Sequence, residues 1–284
     1  MDDFFNGLGA ALRIFEVGQS PQAFLALVGL AFARLASFIQ TAPLFGGAAV
    51  SGRVKVATAL AFLVIVYPAL AADLPPHGAP LPFGVVGFIA LLAKEAMVGF
   101  TLGFTVSLIF EAIQMAGRFI DNQRGATMSE IFAPQLQLRV SELGQFKLQF
   151  AILLFFVSGI HRPFIGALLD SFTLVPALSF PHFTPGWSPQ VAFFTNFAAD
   201  MLAVGVQLAL PGIVALLLID LFFGVLNRIA PQINVFFLSM PVKAFVGLLV
   251  VLVALWGYLE RYLRHFEVGY QAFAYLLRRL SQAF

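Results

Sequence analysis

The 284-residue chain is 60% hydrophobic and only 11% charged, where soluble domains run roughly 45–50% apolar and about 25% charged. A single globule of this length cannot hide so much apolar surface, so an integral membrane protein is the first reading. The absence of cysteine excludes disulfides, thiol catalysis and zinc–thiolate sites, and a formal net charge of +2 is too small to imply nucleic-acid binding.

The start, "MDDFF", is acidic and lacks the basic region of a cleavable signal, so the first spans are expected to stay in the mature protein. Phe4, Phe5, Leu8, Leu12 and Phe15 recur at helical spacing and predict a short amphipathic helix over 4–16. Ser20 and Pro21 then offer an N-cap and a first helical residue. About six apolar segments follow, at 22–40, 54–72, 83–110, 147–160, 198–223 and 242–258. A spanning helix needs about 20 apolar residues. The third segment is too long and carries Lys94 and Glu95, the fourth is too short, the fifth is expected to kink at Pro211–Gly212, and Arg34 lies inside the first. A charge at the bilayer centre costs about 2.5–3.5 kcal/mol, so such interrupted helices are better explained if they pack mainly on protein.

Residues 73–82 and 176–189 are Pro-rich connections that resist helix and central strand alike. The Lys and Arg distribution favours an outside N-terminus, yet the tail with Arg261, Arg264, Arg278 and Arg279 conflicts with six full crossings. Either one segment does not cross or the tail lies along a surface. From Leu259 to Phe284 apolar residues follow steps of three and four, so the C-terminus predicts a separate amphipathic helix on a membrane surface or a partner.

No enzyme motif is present: the four histidines are far apart, and nucleophile-elbow, phosphate-loop and dinucleotide-binding glycine patterns are absent. No cofactor or metal site is therefore expected. Lys94 and Glu95 are adjacent, so on a helix they point about 100° apart and each is expected to find a partner on another helix, a proton relay being the sharper alternative. Gly99, Gly103 and Ser107 sit four apart and continue to Glu111. Small residues at that spacing let helices approach closely, in generic packing or at a contact between subunits. Asp200 and Asp220 bracket an apolar run and are expected to mark helix ends.

Two polar islands stand out. Eight of the chain's thirty charges (16 basic plus 14 acidic) fall in residues 111–147: Glu111, Arg118, Asp121, Arg124, Glu130, Arg139, Glu142 and Lys147. Gly117, Gly125 and Pro134 break the block up, and Phe119, Ile120, Met128, Ile131 and Phe132 surround its polar centre. Two readings stand: a plain polar loop, or a re-entrant or pore-lining element, because non-helical backbone at membrane depth is allowed where protein or a water-filled cavity covers it. The second island, 227–243, combines Asn227, Gln232 and Asn234 with Pro231, Pro241 and Lys243. It reads as a tight turn between two spans or as a structured tip that contacts something.

"IDNQRGATMSEIFAP" at 120–134 and "NRIAPQINVFFLSMPVK" at 227–243 resemble the two signatures of the T component of bacterial type III secretion export gates, called SctT, SpaR or YscT in different systems and related to the flagellar component FliR. "RLASFIQTAPLFG" at 34–46 and "KEAMVGFTLGF" at 94–104 match the same family, and the resemblance runs along essentially the whole chain. "DNQRG" and "FFLSMP" place it nearer the injectisome branch than the flagellar one. The resemblance implies an all-α, polytopic membrane protein similar to a fusion of R-type and S-type gate subunits: an R-like part over 1–197, an S-like hairpin over 198–258 and an amphipathic helix over 259–284. It implies a structural and gating role at the bacterial inner membrane, with R-type, S-type and U-type subunits as partners, around a channel for unfolded secreted proteins. Asp121, Asn122, Gln123, Arg124 and Gly125 match the family's channel plug, with Met128 beside them. Lys94, Glu95, Gly99, Gly103, Glu111, Asn227, Gln232, Asn234, Pro241 and Lys243 become candidates for subunit contacts. The competing reading is a secondary transporter with broken helices, which predicts an internal repeat; no convincing repeat is present.

Overall fold

The computed structural model describes residues 21–45, 50–71, 84–125, 141–180 and 188–282. The helix expected over 4–16, the connection 73–82 and residues 181–187 of the connection 176–189 lie outside them. Among the described residues the chain is all α-helix with one 3₁₀ turn: α1 (Pro21–Thr41), the turn Pro43–Phe45, α2 (Gly52–Ala71), α3 (Val85–Arg124), α4 (Glu142–Val157), α5 (His161–Leu174), α6 (Ser188–Ile229) and α7 (Val235–Ser281). The polytopic all-α architecture is as expected, but the helices are longer and fewer than the apolar segments. Among the described residues α3, α6 and α7 are long and apolar enough to cross a membrane, with a fourth crossing if α4 and α5 form one broken span.

Two boundaries, the first and last of the features below, differ from the sequence reading, each for a physical reason. The third segment does not stop near residue 110: α3 carries on to Arg124, because polar residues interrupt hydrophobicity without interrupting helix propensity. It ends at Gly125, whose φ of +80° is a left-handed conformation that suits glycine. Gly159, at φ +79°, likewise closes the short fourth segment at Ser158–Ile160. At Pro211, α6 continues as one helix. Proline removes the amide that would serve the Gln207 carbonyl, and next to that gap the Leu208 carbonyl accepts the Tyr258 hydroxyl at 3.2 Å. Finally, the C-terminal amphipathic stretch is not a separate helix but the second half of the 47-residue α7. Its apolar stripe is covered by this chain's own helices: Phe266 meets Phe110 and Phe155 at ring-centroid distances of 5.4 and 5.2 Å, and Phe273 meets Phe164 at 5.6 Å.

The chain divides into two compact units, one made of Met1–Ser107, Pro163–Ser188 and Phe273–Phe284, the other of Leu108–Arg162 and Pro189–Ala272. In the first, α1 buries Leu27, Leu30, Ala31, Leu35, Phe38 and Ile39, a stripe at helical spacing that also contains Arg34. The first half of α3 lies against that stripe at Gly99 and Gly103, where an added methyl group would overlap the Arg34 and Phe38 carbonyls respectively. The closeness expected from the glycine spacing is therefore used inside the chain. Gly99→Ala should lower the thermal midpoint of the detergent-solubilised protein, by the order of 1–3 kcal/mol typical of overpacking. Gly257→Ala, where nothing lies within 4 Å, should leave it unchanged or raise it by up to about 1 kcal/mol. Equal behaviour of the two variants would contradict the close approach of α1 and α3.

In the second unit, the end of α3 seats side chains on glycines of both hairpin helices. Ile109 fits at Gly269 and Arg124 at Gly247 on α7, while Met115 fits at Gly205 and Ile120 at Gly212 on α6. Gly117 lies directly against Gly144 of α4.

Candidate functional site

Two polar clusters are built into this apolar framework, one in each unit. In the first unit Arg34 and Glu95 are both fully buried. Arg34 Nε–H donates to Glu95 Oε2 at 2.6 Å and Nη2 to Oε1 at 2.8 Å, a bidentate ion pair. The remaining donors reach the end of α5: Nη1 donates to the Ser171 carbonyl at 2.6 Å and Nη2 to the Val175 carbonyl at 2.7 Å. The guanidinium also lies 4.2 Å from the centroid of the Phe172 ring. Lys94 donates to the carbonyls of Pro176, Ala177 and Ser179 at 2.8–3.0 Å.

Lys94 also reaches Glu95 Oε1 at 2.8 Å, a correction to the expectation that the two neighbours do not face each other. Their Cβ directions do diverge, but the flexible lysine stem brings its ammonium back to the carboxylate. The cluster thus holds two cations and one anion against the C-terminal end of α5, where the helix dipole supplies a further partial negative charge. It fixes the turn after α5 by hydrogen bonds that the apolar surroundings make expensive to lose.

The second cluster contains the residues matching the plug signature. Asp121, Asn122, Gln123 and Arg124 form the last turn of α3, so the helix reaches into the polar block; Met128 lies outside the described residues. Asp121 is buried and its two oxygens have different tasks. Oδ1 accepts Arg124 Nε–H at 2.8 Å. Oδ2 accepts the Ser141 hydroxyl at 2.5 Å and the Leu143 amide at 2.9 Å. Ser141 is itself the N-cap of α4, its Oγ accepting the Gly144 amide at 2.9 Å. One carboxylate of α3 therefore completes the cap of α4. Arg124 extends the link through Nη2 to Glu142 at 3.4 Å.

One face of the same helical turn ties to the hairpin of α6 and α7. Gln123 Nε2 donates to Asp220 Oδ2 at 3.2 Å, and Lys243 of α7 pairs with Asp220 Oδ1. Asp220 and Asp200, expected at helix ends, both lie well inside α6, since a single carboxylate does not terminate a helix. Lys147 is buried with its ammonium 4.1 Å from the Tyr258 ring centroid and no hydrogen-bond acceptor among the described residues.

The structure thus brings together Asp121, Gln123, Arg124 and Lys243, and separately Lys94 and Glu95. Asn122 and Glu111 stay exposed on α3, Glu111 at 3.5 Å from Arg118. Asn227, Gln232 and Asn234 are exposed around the turn at 230–234, where Asn234 caps α7 by accepting the Phe237 amide at 3.4 Å. Pro241 is carried inside α7. Arg34, Ser141, Lys147 and Asp220 belong to the clusters without having been picked out as site residues. Arg34 had a signal, a lone arginine in an apolar helix; Ser141 had a weaker one, a serine directly before a glutamate and an apolar run.

Among related proteins, the flagellar biosynthetic protein FliR of Pectobacterium carotovorum subsp. carotovorum is 34% identical over 220 residues, which is 77% of this chain and 80% of that protein. The surface presentation of antigens protein SpaR of Salmonella typhimurium is 32% identical over 228 residues, 80% of this chain and 82% of that protein. The Yop proteins translocation protein T of Yersinia pestis is 34% identical over 164 residues, 57% of this chain and 62% of that protein. The family model described as bacterial export proteins, family 1, matches residues 25–268. With that match taking in both polar clusters and the helices that carry them, the chain belongs to family 1 of the bacterial export proteins.

Proposed function

We propose that this protein is a structural subunit of a type III secretion export gate in the bacterial inner membrane, where it helps to form and seal the channel for unfolded secreted proteins. The observation that carries this reading is a mismatch of length. At 1.5 Å per residue, α3, α6 and α7, with 40, 42 and 47 residues, are about 60–70 Å long, about twice the roughly 30 Å hydrocarbon core of a bilayer. Large apolar side chains are nevertheless exposed along nearly the whole of α6, from Val191 to Ile229, and along the first half of α7, from Phe236 to Trp256. A bilayer covers only part of such a surface, so the remainder calls for apolar protein partners.

The R-like and S-like division of the chain, with α6 and α7 providing the hairpin, fits partners of the same two kinds, and a U-type subunit would join the same assembly. FliR and the Yop translocation protein match at equal identity, so overall identity does not choose between flagellum and injectisome; "DNQRG" and "FFLSMP" favour the injectisome. The names of the relatives speak of flagellar biosynthesis, surface presentation of antigens and protein translocation, in keeping with a non-enzymatic role. The test is co-expression with R-type and S-type subunits followed by detergent extraction. A stable complex of the three is expected, and recovery of this chain alone would overturn the reading.

A further inference from the structure

We propose that Asp220 is a positioning residue that reversibly docks the end of α3 onto the α6–α7 hairpin, and that release of this dock accompanies opening of the channel. The inference rests on the export-gate reading. Asp220 lies nine residues inside the end of α6, in an apolar stretch where an unpaired carboxylate is expensive. Its two oxygens are divided between two helices: Lys243 of α7 takes Oδ1 and closes the hairpin, and Gln123 of α3 takes Oδ2 at 3.2 Å. On either side of Gln123, Ile120 sits on Gly212 and the Arg124 stem on Gly247. Among the described residues, α3 has two polar ties to the hairpin. One joins the Ile109 carbonyl to the His265 ring at 3.0 Å; the other joins Gln123 to Asp220, about 21 Å further along the helix at 1.5 Å per residue.

Exposure separates this junction from the cluster of the first unit. Arg34 and Glu95 are 0% exposed, a pair built to stay closed. The Asp220 side chain is 38% exposed and that of Lys243 18%. The chain's own atoms enclose this pair less completely than Arg34 and Glu95, which leaves the junction room to open and reclose. The helical turn it holds is the one carrying Asp121–Arg124, so letting go of Asp220 unties that turn from the hairpin's polar link while Asp121 keeps it joined to α4.

Three variants test this: Gln123→Leu, which removes the α3 tie alone; Asp220→Ala, which removes both; and the exchange D220K/K243D. In the exchange the Gln123 amide can turn its oxygen to the new lysine, so both links are restored. Each is co-expressed with R-type and S-type subunits, reconstituted and assayed for ion leak, and the chain alone in detergent is followed by hydrogen exchange over residues 117–124. Q123L and D220A should leak about tenfold more than wild type at equal complex yield, with exchange accelerated about tenfold, the scale of losing one local closing interaction. D220K/K243D should return both readings to within about threefold of wild type. Unchanged leak and exchange in Q123L, or an exchange variant as leaky as D220A, would overturn the proposal. Failure of the wild type to assemble with its partners counts against the export-gate reading instead, and the detergent measurement still decides whether Asp220 holds α3.

Discussion

Glu95→Ala should be the most damaging single change in the chain: membrane accumulation falls severely, and any purified protein melts well below wild type. The carboxylate is the only anionic side chain in contact with Arg34 and Lys94 among the described residues. Removing it leaves two buried cations facing each other across a cavity, and breaking a buried ion pair by deleting one partner costs about 3–5 kcal/mol. That is a large share of a typical stability of about 5–15 kcal/mol. The double replacement Arg34→Met with Glu95→Met makes the diagnosis specific. It keeps the wild-type net charge of the cluster, since one cation and one anion leave together, and Lys94 retains its three carbonyl acceptors on 176–179. It forfeits the Arg34 bonds to Ser171 and Val175, worth about 1.5–3 kcal/mol each as hydrogen bonds to a charged group, but it also removes the desolvation of the pair. The expected order of melting temperatures is therefore wild type, double variant, Glu95→Ala. A double variant at least as unstable as Glu95→Ala would mean that Arg34 acts through its contacts to α5 and not through the ion pair.

The sequence makes the class and the special positions legible, and hides how the positions combine. Helical periodicity and apolar content identify a polytopic α-protein, and the spacing of Gly99 and Gly103 identifies a close helix approach, because both signals are local. Helix ends are hidden wherever hydrophobicity and helix propensity part company. Residues 111–124 turn polar yet remain helical, and residues 259–281 change from uniformly apolar to amphipathic without a break. At Pro211 the sequence does not reveal that Tyr258, almost fifty residues on, lends a hydroxyl close by. Partners were harder still. Glu95 meets Arg34 from 61 positions away and Gln123 meets Asp220 from 97; nothing in either local pattern encodes the match. What the sequence shows in those cases is a charge in an apolar run, which signals that a partner exists but not which one.

The second large effect concerns the carboxylate that joins α3 to α4. Asp121→Ala should loosen the start of α4 while leaving the rest of the protein folded. The substitution removes three hydrogen bonds at once, from Arg124, Ser141 and the Leu143 amide. Cap residues contribute about 0.5–2 kcal/mol, and a hydrogen bond to a charged group about 1.5–3 kcal/mol, so a loss of about 2–4 kcal/mol is expected once partial compensation is allowed. Compensation has an identifiable source: Ser141 Oγ still accepts the Gly144 amide, and Arg124 still reaches the exposed Glu142. The predicted signature is consequently local, with faster hydrogen exchange at residues 143–146 and little change at residues 258–266 of α7. Asp121→Asn separates charge from geometry. Its amide keeps one acceptor oxygen but turns a donor toward either the Arg124 or the Ser141 side, so it should fall between wild type and alanine. On the proposed export-gate reading, Asp121→Ala should also raise ion leak of the assembled complex, because Asp121 ties the last turn of α3 to the first turn of α4 on either side of the segment that carries the rest of the matching signature. If exchange at residues 143–146 rises and leak does not, Asp121 is a helix cap and no part of the seal.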